Sequence, residues 1–365
     1  ALPRAGNSRG SAGKIMIIEL VKPDFIAGSE KRFADFISNL NDKDKIALIS
    51  HQADLDGIAA AKIANFALGS DAVKLINYED IDESLVRWLA ENKINKAIFT
   101  DLRVDDLKII KNIETFCEIL LIDHHKMSED YNSRKTVFLN AQEFCAGYLA
   151  YYLFSKVQNL EKLDWLAACS CVSDFCHKKP AEWLKKVFEK YGDRLEFDGF
   201  YVRKSGIFWD IQYKLSLAII YFRDNVMKVY DSIGENFGDI GNLGKYAKEV
   251  DSYINECLEK FEKEKIAFND GYFWEIIPRF KVGSIVSTIT SSKYPNKTVI
   301  IARAEEEKYH FSARRQDKEK DMDLLIKSLI SGLSGAIGGG HIAAGGGHVM
   351  LKDKGEFKKR LGVVS

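Results

Sequence analysis

Asp123-His124-His125 closes an apolar run of strand length, Phe116 to Ile122. A carboxylate and two imidazoles at the end of a buried strand are metal-ligating or acid–base groups within reach of a ligand. Two other runs end in the same way: Lys45 to Ser50 leads into His51, Asp54 and Asp56, and Lys96 to Thr100 leads into Asp101. A further acid, Asp174, follows a helical run over residues 160–172. Carboxylates mixed with imidazoles suit Mn2+, Mg2+ or Zn2+, and the imidazoles weight the choice toward transition metals. Asp-rich sites with a few His are the donor sets of two-metal centres that split phosphate esters, with the ions about 3.5–4 Å apart. One Asp in a loop is usually a cap or a turn residue. Three ligand-bearing strand ends in one sheet are not explained that way.

The elements that must carry these groups alternate. After the first strand and its acidic turn comes an Ala-rich helix, residues 58–68, closed by Gly69. A second strand is expected at Ile76-Asn77-Tyr78, a helix over 84–92, a strand over 96–100, a helix over 107–113, and strands ending at Asp123 and Leu139. Strands alternating with helices predict an α/β fold, a parallel sheet covered on both faces. Ligands in such sheets bind beyond the carboxyl ends of the strands, so the three acidic strand ends open on one edge. Helices are expected over 143–157 and 160–172, and a helical pattern from 181 to about 265. The charged stretch Glu259 to Lys265 reads as a linker or an exposed end.

The period then changes. Residues 272–277, 298–302 and 309–314 read as strands and 322–330 as a helix, which predicts a second, smaller α/β domain. Alternation in the third of these strands puts His310, Ser312 and Arg314 on one face. Six glycines then fall within Gly338-Gly339-Gly340-His341-Ile342-Ala343-Ala344-Gly345-Gly346-Gly347-His348. Such a run is either a flexible loop or a place where backbone N–H groups converge on an anion. The flanking imidazoles and Arg314 favour phosphate or carboxylate capture. Lys308 and Arg315 read as solvated charges, and His177 lacks zinc partners at suitable spacing.

Lys and Arg (53) balance Asp and Glu (53), which weighs against a grip on long duplex DNA and leaves small or short anions as substrates. The length of 365 residues predicts about two domains. No apolar run is long enough to cross a bilayer, so no membrane is expected. The six cysteines form no CxxC pair and read as reduced core residues, which predicts a cytoplasmic protein. Residues 1–15 read as a disordered leader or an expression remnant. The expected division is a catalytic domain over 16–255, a linker over 256–270 and a substrate-binding domain over 271–365.

These motifs resemble those of the DHH phosphoesterase superfamily, which includes RecJ-type nucleases, nano-oligoribonucleases, cyclic dinucleotide phosphodiesterases and family II pyrophosphatases. Asp123-His124-His125 matches the name-giving motif. His51, Asp54 and Asp56 match the first motif, Asp101 the second and Asp174 the fourth. Gly338 to His341 with Ala343-Ala344-Gly345 matches the DHH-associated C-terminal domain. The resemblance covers nearly the whole chain after Met16. It implies two divalent cations, Mn2+ first and Mg2+ as the alternative. His51, Asp54 and Asp101 would hold one. Asp56, Asp101, His124 and Asp174 would hold the other, with Asp101 bridging. His125 would face the substrate phosphate, and Asp123 would orient a neighbour. Arg314, Gly338, Gly339, Gly340 and His341 would bind the phosphate from the second domain, across a cleft. His51 is where first motifs of the superfamily vary most, and His348 would be an additional contact. The implied function is hydrolysis of short single-stranded RNA or DNA to mononucleotides in a RecJ-like manner. The alternatives are a small-nucleotide phosphatase, a cyclic dinucleotide phosphodiesterase, or a non-catalytic scaffold for nucleic acid or a replication partner. A homodimer is left open.

Overall fold

The apolar runs that end on acids become neighbouring parallel strands. In the computed structural model of the chain, residues 18–104, 106–127, 129–199, 201–277 and 279–363 are described. The leader expected over residues 1–15 lies outside them. The chain divides into two units, the first running to Ser216 and taking in Asp224–Gly241, the second formed by Leu217–Arg223 and the described residues from Asn242 onward.

The first unit begins with α1 (Glu30–Ser38), then β1 (Ile46–His51), α2 (Leu55–Leu68), β2 (Ala72–Ile76), α3 (Glu83–Glu91), β3 (Lys96–Thr100), α4 (Leu107–Glu114), β4 (Glu118–Asp123) and β5 (Thr136–Asn140). The five strands form one parallel sheet in the order β2-β1-β3-β4-β5. Every residue of β1 and β3 is buried, as expected when helices cover both faces and the strands are continuously apolar. Alternate residues Ala47, Ile49, Ala97, Phe99, Ile119 and Leu121 pack with Leu85, Leu89, Ile109, Ile110 and Ile113 of α3 and α4. The other face lies under α2 and α5 (Ala146–Phe154). From β1 the chain goes to β2 on one side and reaches β3 on the other. The switch point where α/β sheets bind ligands therefore falls between β1 and β3. The unit continues with α6 (Asp164–Ser173), α7 (Ala181–Lys190), the two-residue strands β6 (Phe197–Asp198) and β7 (Tyr201–Val202), most of α8 (Ile207–Tyr221) and α9 (Met227–Ser232).

The second unit opens with α10 (Gly244–Glu264), followed by β8 (Ile266–Phe268), β9 (Gly271–Glu275), α11 (Gly283–Lys293), β10 (Thr298–Glu305), β11 (Lys308–Arg314), α12 (Met322–Ile330), β12 (Ile337–His341), β13 (Ala344–Met350) and α13 (Lys354–Leu361). Its six strands run in the order β12-β13-β11-β10-β9-β8, antiparallel except for β9 with β10. Phe273, Tyr309, Phe311, Met322, Ile326 and Phe357 are part of its core.

Three expectations change here. The linker over 256–270 is the end of α10 with β8 and the turn after it. Tyr253, Ile254, Cys257 and Phe261 keep a buried stripe through the charged stretch, so the charges are only the helix's wet side. The glycine run is a β-hairpin and not a loop, with Gly338 opposite Gly347, Gly339 opposite Gly346 and Gly340 opposite Gly345. A Cβ on Gly345 would overlap Ile326 Cδ1 at 2.6 Å, and one on Gly346 would meet the Phe311 carbonyl oxygen at 2.8 Å, so close packing accounts for these glycines. Arg315 is not a solvated charge. It is 6% exposed and pairs with Asp270 at 2.5 Å and Asp317 at 2.7 Å.

Candidate metal centre

His51 ends β1, and Asp54 is the N-cap of α2. One oxygen of Asp54, Oδ1, accepts from the Gly57 amide at 3.2 Å, and Oδ2 lies 3.2 Å from His51 Nδ1. The cap is therefore also a candidate ligand, and the three-residue gap is the distance from strand end to cap. Gly57 is needed because a Cβ there would overlap the His51 carbonyl and sit 2.8 Å from the His51 Cβ. Asp56 is 1% exposed. Its Oδ1 accepts from Gly147 N at 2.8 Å and from the Ser170 hydroxyl, and its Oδ2 accepts from Ala146 N at 2.7 Å. A carboxylate has about four acceptor positions. The one left is on Oδ2, the oxygen 3.6 Å from His124 Nε2.

Asp101 follows β3 with φ 56, in the left-handed region, and its amide donates to Ile122 O at 3.1 Å. This conformation aims the carboxylate along the sheet edge. Oδ2 lies 3.7 Å from His51 Nδ1, while Oδ1 lies 3.4 Å from His124 Nε2 and 3.9 Å from His125 Nδ1. The His124 ring stands between acids. Its Nε2 faces Asp56 and Asp101, and its Nδ1 lies 3.7 Å from Asp174 Oδ2. The resemblance put Asp174 on the same cation as Asp56 and Asp101; here it faces the other nitrogen of the ring. Asp123 Oδ1 takes the Nδ1 of His125 at 2.8 Å.

Sequence reasoning passed over four groups. Tyr78 stacks on His51, ring centroids 4.4 Å apart, and its hydroxyl lies 3.1 Å from His125 Nε2. With Nδ1 donating to Asp123, a neutral ring would accept at Nε2 from that hydroxyl, and an imidazolium would donate to it. Strand β2 stops at Ile76, and Tyr78 belongs to the turn beyond it, so inspecting the turn after each strand would have found it. Asn140, at the end of β5, donates from Nδ2 to His125 O at 2.9 Å and fixes the His124-His125 turn. Gly147 leaves room for the Asp56 seat: a Cβ there would overlap the Ser170 hydroxyl and come within 3.2 Å of Asp56 Oδ1. No sequence signal marks it. Cys176 lies 3.1 Å by its Sγ from Asp174 Oδ2. Its place two residues beyond a candidate ligand was the available signal.

The charges are mutually frustrated. Burial opposes the His51 imidazolium, but hydrogen bonds to Asp101 and Asp54 outweigh it and lift the ring to about 10. Burial also opposes charge on His124 and His125, and their acidic neighbours raise both. Burial, then Asp101 and Asp174, push the Asp56 carboxyl well above the ordinary range. Burial likewise raises Asp174, to about 6, and it raises the Cys176 thiol to about 12. Asp174 caps the C-terminus of α6, the end of a helix that disfavours an anion. Packed carboxylates that raise one another, with imidazoles held protonated among them, are what a site for cations looks like before the cations neutralise it.

The residues fit divalent metals. His51, Asp54 and Asp101 offer one atom each within 4.8 Å of one another, as do Asp101, His124 and His125, and as do His124, Asp174 and Cys176. In the second unit, Arg314 Nη2 donates to Ser284 Oγ at 3.0 Å. His310, Ser312 and Arg314 share the more exposed face of β11, in register with His348, Gly346 and Ala344. His341 is exposed at the end of β12. The Gly340 amide donates to Asp323 Oδ1 at 3.0 Å, so an anion there would compete with a carboxylate.

Comparison with known proteins places the fold. The chain is similar to RecJ of Thermus thermophilus in complex with Mn2+, with a TM-score of 0.69 and 14% identity over 95% of this chain. It spans 55% of the length of that RecJ chain. It is also similar to an exonuclease RecJ bound to manganese (TM-score 0.66, 15% identity, 91% of this chain and 93% of that one). A third likeness is to a Vibrio pGpG-specific phosphodiesterase (TM-score 0.50, 13% identity, 87% of this chain and 97% of that one). At these identities the likeness is one of fold, a parallel five-stranded α/β unit with a second sheet. The type II intron maturase family matches over residues 111–237. That segment starts inside α4 and takes two of the five strands, so it bounds no folded unit of this chain. No curated protein sequence matches.

Proposed function

We propose that the chain is a DHH-type, divalent-metal-dependent phosphoesterase that hydrolyses short single-stranded oligonucleotides to mononucleotides, as RecJ-like enzymes would. The observation that carries the reading is the meeting of His51, Asp54, Asp56, Asp101, His124 and Asp174, from four places in the chain, at the switch point of one sheet. His51, Asp54 and Asp101 would hold one ion and Asp56, Asp101, His124 and Asp174 would contribute to the other, with Mn2+ preferred over Mg2+. Asp101 faces His51 through Oδ2 and the Nε2 of His124 through Oδ1, and would bridge ions held on those two sides.

Two ions so held would supply Lewis-acid polarisation of a phosphoryl group and activation of water. The chain's own residues would do the rest. Asp123 holds His125 at Nδ1, and the hydroxyl of Tyr78 meets Nε2, so the imidazole is oriented before substrate arrives. As an imidazolium it would neutralise charge growing on the phosphoryl oxygens. Arg314, His341 and the Gly338–Gly340 backbone would orient the substrate phosphate. The balanced net charge and the likeness to a pGpG-specific phosphodiesterase favour a second substrate reading, a small nucleotide such as a linear dinucleotide.

The test is release of mononucleotides from a labelled short RNA in Mn2+, with EDTA as the blank. Single-stranded DNA, a cyclic dinucleotide and 3′-phosphoadenosine 5′-phosphate run in parallel. Metal-dependent release from at least one, fastest with a short oligonucleotide, is the expected result. Inertness toward all four with metal bound would leave a binding scaffold.

A further inference from the structure

Five of the six cysteines are buried, and Cys176 is the exception. It comes two residues after Asp174, on a turn where Phe175 takes φ 58 and brings the chain back beside the α6 C-terminus. Its Sγ is 3.1 Å from Asp174 Oδ2, and the same Asp174 oxygen is 3.7 Å from His124 Nδ1. One atom from each of His124, Asp174 and Cys176 fits within 4.8 Å of the others. The other two candidate groups contain only nitrogen and oxygen donors.

We propose that Cys176 is a protein ligand, with His124 and Asp174, of one of the two cations, and that it makes that position thiophilic. Ligation forms a sulfur–metal bond and releases the thiol proton to solvent. No oxidant is required. Thiolate with imidazole and carboxylate is a donor set that favours Zn2+, Co2+ or Cd2+ over Mg2+, whereas His51, Asp54 and Asp101 make a harder set suited to Mn2+ or Mg2+. The centre would then hold two unlike positions. This rests on the metal-centre reading above.

Cobalt separates the two. Co2+ is titrated into the metal-free full chain and into Cys176→Ser, with bound cobalt counted by equilibrium dialysis. The expected result is a thiolate-to-cobalt charge-transfer band that saturates with one ion per chain and is lost in Cys176→Ser. Cys257→Ser, on α10, keeps it. Zinc X-ray absorption should show one sulfur at about 2.3 Å in the native chain only. Cd2+ affinity should fall about tenfold or more in Cys176→Ser while Mn2+ affinity at the harder position holds. Cobalt bound without a thiolate band, or a band that survives Cys176→Ser, overturns the assignment and leaves the metal centre standing. No cobalt bound at all overturns both.

Discussion

His51 carries the proton that a cation would displace. A free imidazole titrates near 6.5, and this one is lifted to about 10 because the hydrogen bonds to Asp101 and Asp54 outweigh the cost of burial. At neutral pH the ring is charged and must lose its proton to ligate. Metal affinity should therefore rise about tenfold per pH unit for that proton as pH rises toward about 10, and level off above it. The metal-free fold should show the opposite trend. Its folded value lies above the unfolded one, so the His51 contribution to stability is full below about pH 6.5 and is lost as pH rises through about 10. Calorimetric titration in buffers of different ionisation enthalpy counts the released proton; no release at pH 7 contradicts this assignment. Tyr78 gives a second prediction. Tyr78→Phe keeps the stack on His51 and removes the hydroxyl from His125 Nε2. Turnover should fall about tenfold or more with metal stoichiometry unchanged, as when an outer partner of a positioned group is removed. The candidate ligands were legible because they end apolar runs. Tyr78, Asn140 and Cys176 were not, because an aromatic, an amide and a thiol acquire meaning only from neighbours distant in sequence.

Helix α5 shows how an element sets the site. It has no side-chain cap of its own, and the amides of its first two residues donate to Asp56. The same contact positions the one acceptor of Asp56 that remains, the one a cation would take. Gly147 is the tight point. Helix propensity favours Ala there by about 1 kcal/mol. Against that, a Cβ would overlap the Ser170 hydroxyl and lie 2.8 Å from the Ser170 Cβ, an overpacking worth about 1–3 kcal/mol. The clash also breaks bonds to a buried carboxylate, so the clash wins. Gly147→Ala should unfold at lower denaturant and bind metal more weakly, while Gly238→Ala, with open space around it, should stay within about 0.5 kcal/mol. Equal midpoints for the two variants would refute the role given to Gly147. The strands and most helices of the first unit were legible from period and caps. Helix α11 was not. Its Ser, Thr and Ile content reads as strand or loop, and its hydroxyls are satisfied inside the helix, Thr290 Oγ1 to Val286 O at 2.7 Å and Ser287 Oγ to Ser284 O at 2.8 Å.

At the scale of the whole chain, the two-part α/β organisation followed from the change of period after α10, and the parallel sheet followed from strand–helix alternation. The boundary did not follow, since a helix with one wet charged side looks like a linker until its buried stripe is seen. Among the described residues no helix is long and apolar enough to cross a membrane. The seven proposed ligands, Cys176 included, all belong to the first unit, and the phosphate-binding candidates Arg314 and His341 to the second. Loss of metal and loss of substrate grip should therefore separate by mutation. His341→Ala should raise KM with metal content intact. Asp101 is where the metal account stands or falls, since its two oxygens face both groups of donors from a left-handed backbone position. The direct measurement is the number of Mn2+ ions bound per chain, read together with hydrolysis, for the native protein and for Asp101→Ala. The account predicts two ions and activity in the first, with activity and at least the ion shared with His51 and Asp54 lost in the second. Two tightly bound ions and full turnover in Asp101→Ala would contradict it.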